Sequence, residues 1–361
     1  MSLIKTGAGT QIFDVDAAHT YSGGTTLSAG TLQIGSSSAG TVGAVTSGPL
    51  GTGTAVLNGG TLSSSSTNAQ TLLNAATIGG NVTLGDAVDN GMLNFSAGVD
   101  LGAADRTLTT ASSVAFNGAV SGNGGITKAG SATLTLGANN TYLGNTVLSQ
   151  GSLIINGNQS SATGAFTVAS GAMLGGSGTI GGATTISGIH SPGNSAGVQT
   201  FASNLTYIGT PTVEWELTAN TTTQASPTPV FDQIVVNGNL DFSVATTLTL
   251  NFALAGSTVD WSNGLWGSDI TGTSGWLVYD VAGSLSDFQN LLISVENWAD
   301  GQGALLGTVR AGSSFSLYND GNDIYLTYAI PEPSTYALLS LLGAGIAGRI
   351  MVRRRRSHGV D

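Results

Sequence analysis

The segment IKTGAGTQIFDVDAAHTYSGGTTLSAGTLQI at 4–34 returns, with changes, as ITKAGSATLTLGANNTYLGNTVLSQGSLII at 126–155. Each copy runs through a lysine, a turn of small residues, a strand, Thr-Tyr, a glycine-containing turn, a Thr/Val strand and then Gly-x-Leu. Gly-x-Leu steps recur at Gly30, Gly60, Gly91 and Gly151, at intervals of 30, 31 and 60 residues. A unit of a few short strands has no second layer to cover its apolar side. Stacking one unit on the next covers that side and pairs each strand edge, about 4.8 Å per layer. The repetition therefore predicts an all-β chain built as a parallel β-helix. A stack of antiparallel hairpins would show the same periodicity.

Composition agrees with stacked short strands. Charged residues make up 8% of the chain, far below the roughly 25% of an ordinary soluble domain, and glycine supplies 55 of 361 positions. Gly and Asn suit corners that need positive φ, Thr and Val suit flat strand faces, and Asn or Ser can form ladders between layers. The 40% hydrophobic content, in alternating runs such as Thr-Leu-Thr-Leu at 133–136, argues against a disordered linker. There is no cysteine, which is compatible with export. Before Pro331 the basic residues are Lys5, Arg106, Lys128 and Arg310 against 18 carboxylates, so that part carries 4 − 18 = −14. Such a surface speaks against nucleic acid as a partner and favours cations or basic partners.

After about Phe201 the composition shifts, and all five tryptophans lie between there and Pro331. TVEWEL, FDQIVVNGNLDF, TTLTLNFAL and GWLVYD read as strands. SLSDFQNLLI at 284–293 reads as one short helix capped by Ser284 or Ser286, and SFSLYNDGNDIYLTY at 314–328 as a hairpin turning at Asn319–Asp323. The expected organisation is a repeat region at 1–200, a β-rich continuation and cap at 201–330, and a tail at 331–361.

Candidate chemistry is sparse. Glu214 and Glu216 flank Trp215, and residues two apart on a strand face the same way, so their carboxylates stand about 7 Å apart. That separation permits acid/base work on a glycan, but no basic residue or nearby histidine completes a site, and a solvated strand face beside a packed Trp is expected. Asp14 with Asp16 and Asp86 with Asp89 are loose pairs; NDGNDI at 319–324 has calcium-loop residue types without the distant Glu such a loop needs, and reads as a turn. His19 and His190 are expected in turns or at the surface. No nucleophile–base spacing, phosphate loop or metal cluster is present, so the sequence predicts no catalytic residue, metal or cofactor.

The tail has its own logic. Thr335 to Val352 is 18 residues, about 27 Å as a helix against a hydrocarbon core of about 30 Å. Arg349 sits close enough to the end to snorkel, and Arg353, Arg354, Arg355 and Arg356 predict a cytoplasmic C-terminus with residues 1–330 across the membrane.

Two resemblances follow. The Lys-Thr-Gly-Ala-Gly-Thr, Thr-Tyr-Ser-Gly-Gly-Thr-Thr and Ser-Ala-Gly-Thr-Leu segments resemble the autotransporter-associated β-strand repeat; SGNGGITKAG at 121–130 is similar to its lead-in, and SPGNSAG at 191–197 to a segment that ends such passengers. The second copy departs at Ala129, Ser131 and Leu143. This resemblance implies a right-handed parallel β-helix on the bacterial exterior. Pro331-Glu332-Pro333-Ser334, the apolar span and the arginine cluster together resemble the PEP-CTERM sorting signal, which implies recognition and removal by an exosortase, a membrane processing enzyme. The expected function is an exported, non-enzymatic structural or adhesive protein of the cell surface or extracellular polymer matrix, with polysaccharide or its own copies as partners. The alternative is a secreted glycan-binding or glycan-cleaving β-helix protein. MSLIKTGAGTQ has no basic n-region or apolar h-region and the chain opens inside a repeat, so a truncated or misassigned start is expected. The large membrane barrel of a self-secreting autotransporter is also missing, so only the passenger repeat is shared with that system.

Overall fold

A computed structural model describes residues 1–13, 18–218, 229–251, 275–294 and 314–329. Short strands follow one another and fall into long sheets of six, twelve, ten and seven strands. The six-stranded sheet runs from Leu3–Lys5 to Val120–Ser121, and the twelve-stranded from Thr10–Phe13 to Leu285–Ser286. The ten-stranded sheet runs from Gln70–Leu72 to Leu291–Ile293, and the seven-stranded from Asn158–Gln159 to the hairpin of Ser314–Asp320 and Asp323–Ala329. The six- and seven-stranded sheets are successive parts of one face. The backbone of 140–143 links them, with Thr141 N–H donating to Val120 O at 2.9 Å and Asn140 N–H to Asn158 O at 3.2 Å. The chain thus visits three faces in turn and rises one layer per circuit.

Every ladder between successive coils is parallel, which settles the choice against stacked hairpins. Antiparallel ladders among the described residues are confined to a small excursion (Ala39–Thr41 with Ala44–Ser47) and to the last hairpin, whose strand Asp323–Ala329 lies against Trp276–Val281. Ile126 stands beside Thr146, and Thr146 beside Phe166, so a regular coil takes 20 residues. The three faces continue through residue 200 to Ile293.

Alternation decides what lies inside. On Thr133–Leu136 the leucines are buried and the threonines half-exposed, as the period of two along a strand requires. Stacked coils place like on like: Leu93, Val114, Leu134, Leu153 and Leu174 form one inward column in register. Each fully buried aliphatic in such a column contributes about 1.5–3 kcal/mol. Aromatics replace aliphatics toward the C-terminal end, where Tyr207 stacks on Phe242 at 5.3 Å and Trp215 meets Trp276 edge-on at 5.7 Å.

Corners are tied by side chains. At the turn entering the twelve-stranded sheet, a side-chain oxygen accepts the amide of the next coil: Asp105 from Gly125 (2.7 Å), Asn145 from Ala165 (2.9 Å), Asn204 from Asn239 (2.9 Å) and Asn239 from Ser284 (3.0 Å). These interlayer bonds run from backbone amide to side-chain oxygen, not from side chain to side chain, and they supply partners that the turn backbone lacks.

The helix expected at 284–293 does not form. The segment holds strands Leu285–Ser286 and Leu291–Ile293 around a single 3₁₀ turn at Phe288–Asn290. Asp287 takes the cap position at φ 55 and makes no side-chain cap bond. Leu285 pairs in register with Leu240 and Leu291 with Thr246, so coil pairing overrides the local helical pattern. The hairpin expected at 314–328 is present and turns at Gly321 and Asn322. Among the described residues no helix is long and apolar enough to cross a membrane; Thr335–Val352 lies outside them.

Candidate functional site

The two repeat copies build the same kind of corner at different places, the first between the six- and twelve-stranded sheets and the second between the twelve- and ten-stranded sheets. In the first, Lys5 Nζ donates to Gly7 O and to Ala29 O (3.1 Å). In the second, Lys128 Nζ donates to Ala129 O (3.1 Å), Gly130 O (2.8 Å) and Gln150 O (2.9 Å). Ala29 and Gln150 occupy the same place, just before the Gly-x-Leu step one coil on. Each lysine thus spans two coils and satisfies turn carbonyls that strand pairing leaves over. Lys128 is fully buried, and burial lowers its amine to about 8. Tyr21 Oη and Thr25 Oγ1 lie 2.7 Å apart, as do Tyr142 Oη and Thr146 Oγ1. The departures at Ala129, Ser131 and Leu143 leave these contacts in place. Gly30, Gly60 and Gly151 share φ of 71, 74 and 70°, and a Cβ at Gly30 or Gly151 would meet the carbonyl of Gly7 or Gly130. Gly91 keeps the spacing but lacks the positive φ.

Glu214 and Glu216 both point outward from Thr212–Glu216, with Trp215 buried between them. Glu216 Oε1 accepts a hydrogen bond from Asn251 Nδ2 at 2.9 Å, and partial burial raises its carboxyl, with Asn251 opposing and Glu214 adding. The third acid was missed in the sequence. Asp232 is fully buried behind them; its Oδ1 accepts Gly197 N–H (2.8 Å), its Oδ2 accepts Glu216 N–H (2.9 Å), and its main-chain oxygen accepts Trp215 Nε1–H (2.6 Å). Burial pushes Asp232 up to about 9, with the two amides opposing and Glu216 and Glu214 adding. Its role is to tie the turn of the SPGNSAG segment to the strand carrying Glu214 and Glu216. The sequence signal for it was its place two residues before Ile234 and four before Val236, in phase with the inward side of Gln233–Val236.

His190 is also a correction. It is fully buried, in the column that continues from Leu174 through His190 to Val213. Tyr207 Oη lies 2.7 Å from its Nδ1, and Gln199 Oε1 lies 2.7 Å from its Nε2. Tyr279 O–H donates to Tyr207 Oη at 3.0 Å, and Gln199 Nε2 donates to Gly175 O at 3.0 Å. These partners fix the ring as neutral, with the proton on Nε2 donated to Gln199 and Nδ1 accepting from Tyr207. Burial lowers the imidazole to about 4, against the opposing bond to Gln199. His19 is half-buried, in a bridge to Gly48, packed edge-on against Phe13 at 4.8 Å.

The other sequence candidates do not converge on a ligand. Asp86 Oδ1 accepts Val88 N–H and Asp89 N–H, an Asx turn, while Gln33 Nε2 reaches Asp86 and Asp89 from a neighbouring coil. In 319–324, Asn319 Nδ2 donates to Gly321 O and Asp323 Oδ1 accepts Val281 N–H, so the hairpin turn uses its own polar groups. Among the described residues no group of three or more His, Asp or Glu is placed to hold a metal. Asp14, Asp16, Pro331–Ser334 and Arg353–Arg356 lie outside the described residues.

Comparison with known proteins agrees with this geometry. The passenger-associated-transport-repeat matches residues 3–34 and 126–155, the two segments that build the lysine corner. A curated relative, the adhesin BmaC autotransporter of Brucella suis biovar 1 (strain 1330), is 39% identical over 117 residues. That match takes in 32% of this chain and 3% of the relative, so the chain spans a small part of its length. The PEP-CTERM protein-sorting motif matches residues 329–356. The chain therefore carries two passenger-associated-transport repeats ahead of a C-terminal PEP-CTERM sorting motif.

Proposed function

We propose that the solenoid is an exported, non-enzymatic structural or adhesive element of the bacterial cell surface or extracellular polymer matrix. The observation that carries this reading is the joining of a solenoid built from adhesin-type repeats to a C-terminal sorting motif. The interior supports it. The buried polar groups Lys128, His190 and Asp232 hold one coil to the next and are turned toward carbonyls, amides and each other's neighbours. The outward pair Glu214 and Glu216 has one member held by Asn251.

The tail supplies the route. An exosortase-type membrane enzyme reads Pro331-Glu332-Pro333-Ser334. Thr335–Val352 holds the precursor in the inner membrane, Arg353–Arg356 stay cytoplasmic, and residues 1–330 face outward. The mature form, freed of the tail, resides at the cell surface, in the outer membrane or outside the cell. The test is made in the native host with a secretory signal fused upstream. Replacing Pro331, Glu332 and Pro333 with alanine keeps the apolar span and should trap an unprocessed, membrane-bound form. Mass spectrometry of surface-located wild type should find a C-terminus near Pro331–Ser334; recovery of Arg353–Arg356 on that material would overturn the reading.

A further inference from the structure

The outward side of the twelve-stranded sheet differs from the other faces. Two adjacent columns of side chains carry threonine in register, and the first runs from Thr31 through Thr61 and Thr83 to Thr109 before it reaches Ala129. On Arg106–Thr110 the line steps across to Thr107 and continues through Thr127, Val147, Thr167, Thr185 and Thr206. The outer column of the ten-stranded sheet instead reads Thr71, Asn94, Ala115, Thr135, Ile154, Gly175, Ser191, and that of the six-stranded sheet Ile4, Thr26, Val56, Thr77, Asp100, Ser121. Strand propensity acts on all three faces alike, so it does not account for a column that one face alone keeps.

Two further observations concern what the column meets. Inward threonines use their hydroxyls within the protein: Thr25 donates to Leu50 O, Thr110 to Ala132 O and Thr184 to Gly182 O. Thr127, Thr167, Thr185 and Thr206 are half- to fully exposed residues, and among the described residues their hydroxyls have no protein partner. The column also carries no charge until Asp241, although the body before Pro331 carries −14. A second copy of this chain would bring two acidic bodies side by side, and an anionic polymer would meet the same field within a Debye length of about 8 Å. A neutral partner would not.

We propose that this face is a docking surface for an uncharged, extended polysaccharide lying along the solenoid axis. The threonine hydroxyls would exchange hydrogen bonds with sugar hydroxyls, and their methyl groups would pack against the sugar rings. The nine strands from Thr31 to Thr206, at about 4.8 Å each, give the polymer a track of about 40 Å, so many weak contacts add along one chain. The proposal rests on the reading that the body works outside the cell.

The test uses the full-length chain in non-ionic detergent, with microcrystalline cellulose as probe and soluble carboxymethylcellulose as the anionic comparison. Wild type should be depleted onto cellulose and bind carboxymethylcellulose at least tenfold more weakly. Joint replacement Thr127→Lys, Thr167→Lys and Thr185→Lys should weaken depletion at least tenfold. The same three positions changed to Val keep the branched shape and strand preference, lose the hydroxyls, and should weaken it severalfold; this variant serves if the lysine variant does not fold. Thr133→Lys with Thr135→Lys, on the ten-stranded sheet, should leave binding unchanged. No depletion of wild type, equal depletion of all variants, or a wild-type dimer lost in the lysine variant would each overturn the proposal, the last by assigning the face to a second copy. Tail processing is read separately, so a failure here leaves the sorting proposal standing, and the reverse.

Discussion

Protonating His190 breaks a chain of donors that has no slack. Nε2–H already donates to Gln199 and Nδ1 already accepts from Tyr207, whose oxygen accepts from Tyr279. A proton on Nδ1 turns that acceptor into a donor, and the Tyr207 hydroxyl hydrogen is left without a partner in a fully buried site. The ring also loses the hydration that a cation needs, and its affinity for the proton falls from 6.5 to about 4. The sign follows directly. The unfolded chain takes up the proton below 6.5 and the native one only below about 4, so the stability His190 contributes is present above 6.5 and lost as pH falls through that window. At about 1.4 kcal/mol per pH unit the loss amounts to about 3 kcal/mol. Asp232 works the other way over the same range, since its carboxyl, raised from 3.8 to about 9, keeps a proton that the unfolded chain gives up. The two nearly cancel between pH 4 and 6.5, and removing the histidine should expose the opposing slope. His190→Leu restores a hydrocarbon between Leu174 and Val213 and leaves Asp232 untouched. Urea unfolding of both proteins across this range, read by the fluorescence of Trp215 and Trp276, gives the difference. Wild type should lose about 3 kcal/mol relative to His190→Leu on going from pH 6.5 to 4. Parallel pH profiles for the two proteins would refute the reasoning.

Asp232→Asn should remove a slope at higher pH: wild type is expected to lose about 1.4 kcal/mol per pH unit relative to the variant between 6.5 and 8. Equal slopes in urea unfolding would count against a protonated Asp232. Lys128→Met keeps the length of the buried side chain but strands three carbonyls, and should cost about 2–4 kcal/mol in the same assay. A loss below about 1 kcal/mol would show that those carbonyls find other partners.

How far the fold was legible depends on whether a residue's partner lies in its own repeat. Lys5 and Lys128, Tyr21 and Tyr142, Gly30 and Gly151 each meet a group at a fixed distance along the chain, so comparing the two copies was enough to mark them. The terminal hairpin was legible for the same reason, since Asn319 to Asp323 carry their own turn chemistry. His190 was not, because its burial depends on Gln199 and Tyr207, which belong to other faces and recur in no other copy. Asp232 was hidden by the segment at 219–228, which separates it in sequence from the Glu216 strand it holds. The false helix at 284–293 had the correct local pattern, but Leu285 and Leu291 were already committed to edges one coil below.

The near-absence of basic residues also acquires a physical reason. Three of the four before Pro331 are described, and each directs its donors at main-chain carbonyls: Lys5 at Gly7 and Ala29, Lys128 at Ala129, Gly130 and Gln150, and Arg106 through Nε at Leu101, 3.1 Å away. In a stacked coil the strands satisfy their own amides and carbonyls, and the corners are where carbonyls are left over. A cation there binds two or three of them at once, which a neutral donor does less strongly. Elsewhere the same task falls to Asn and Asp oxygens, which accept the corner amides that the turns leave over. Positive charge in the described part of this body is therefore concentrated at joints between layers, whereas Asp100, Glu214, Glu216 and Asp241 stand on strand faces. The threonine-rich line on the twelve-stranded sheet stays free of charge up to Asp241, while the neighbouring faces carry Asp100, Glu214 and Glu216.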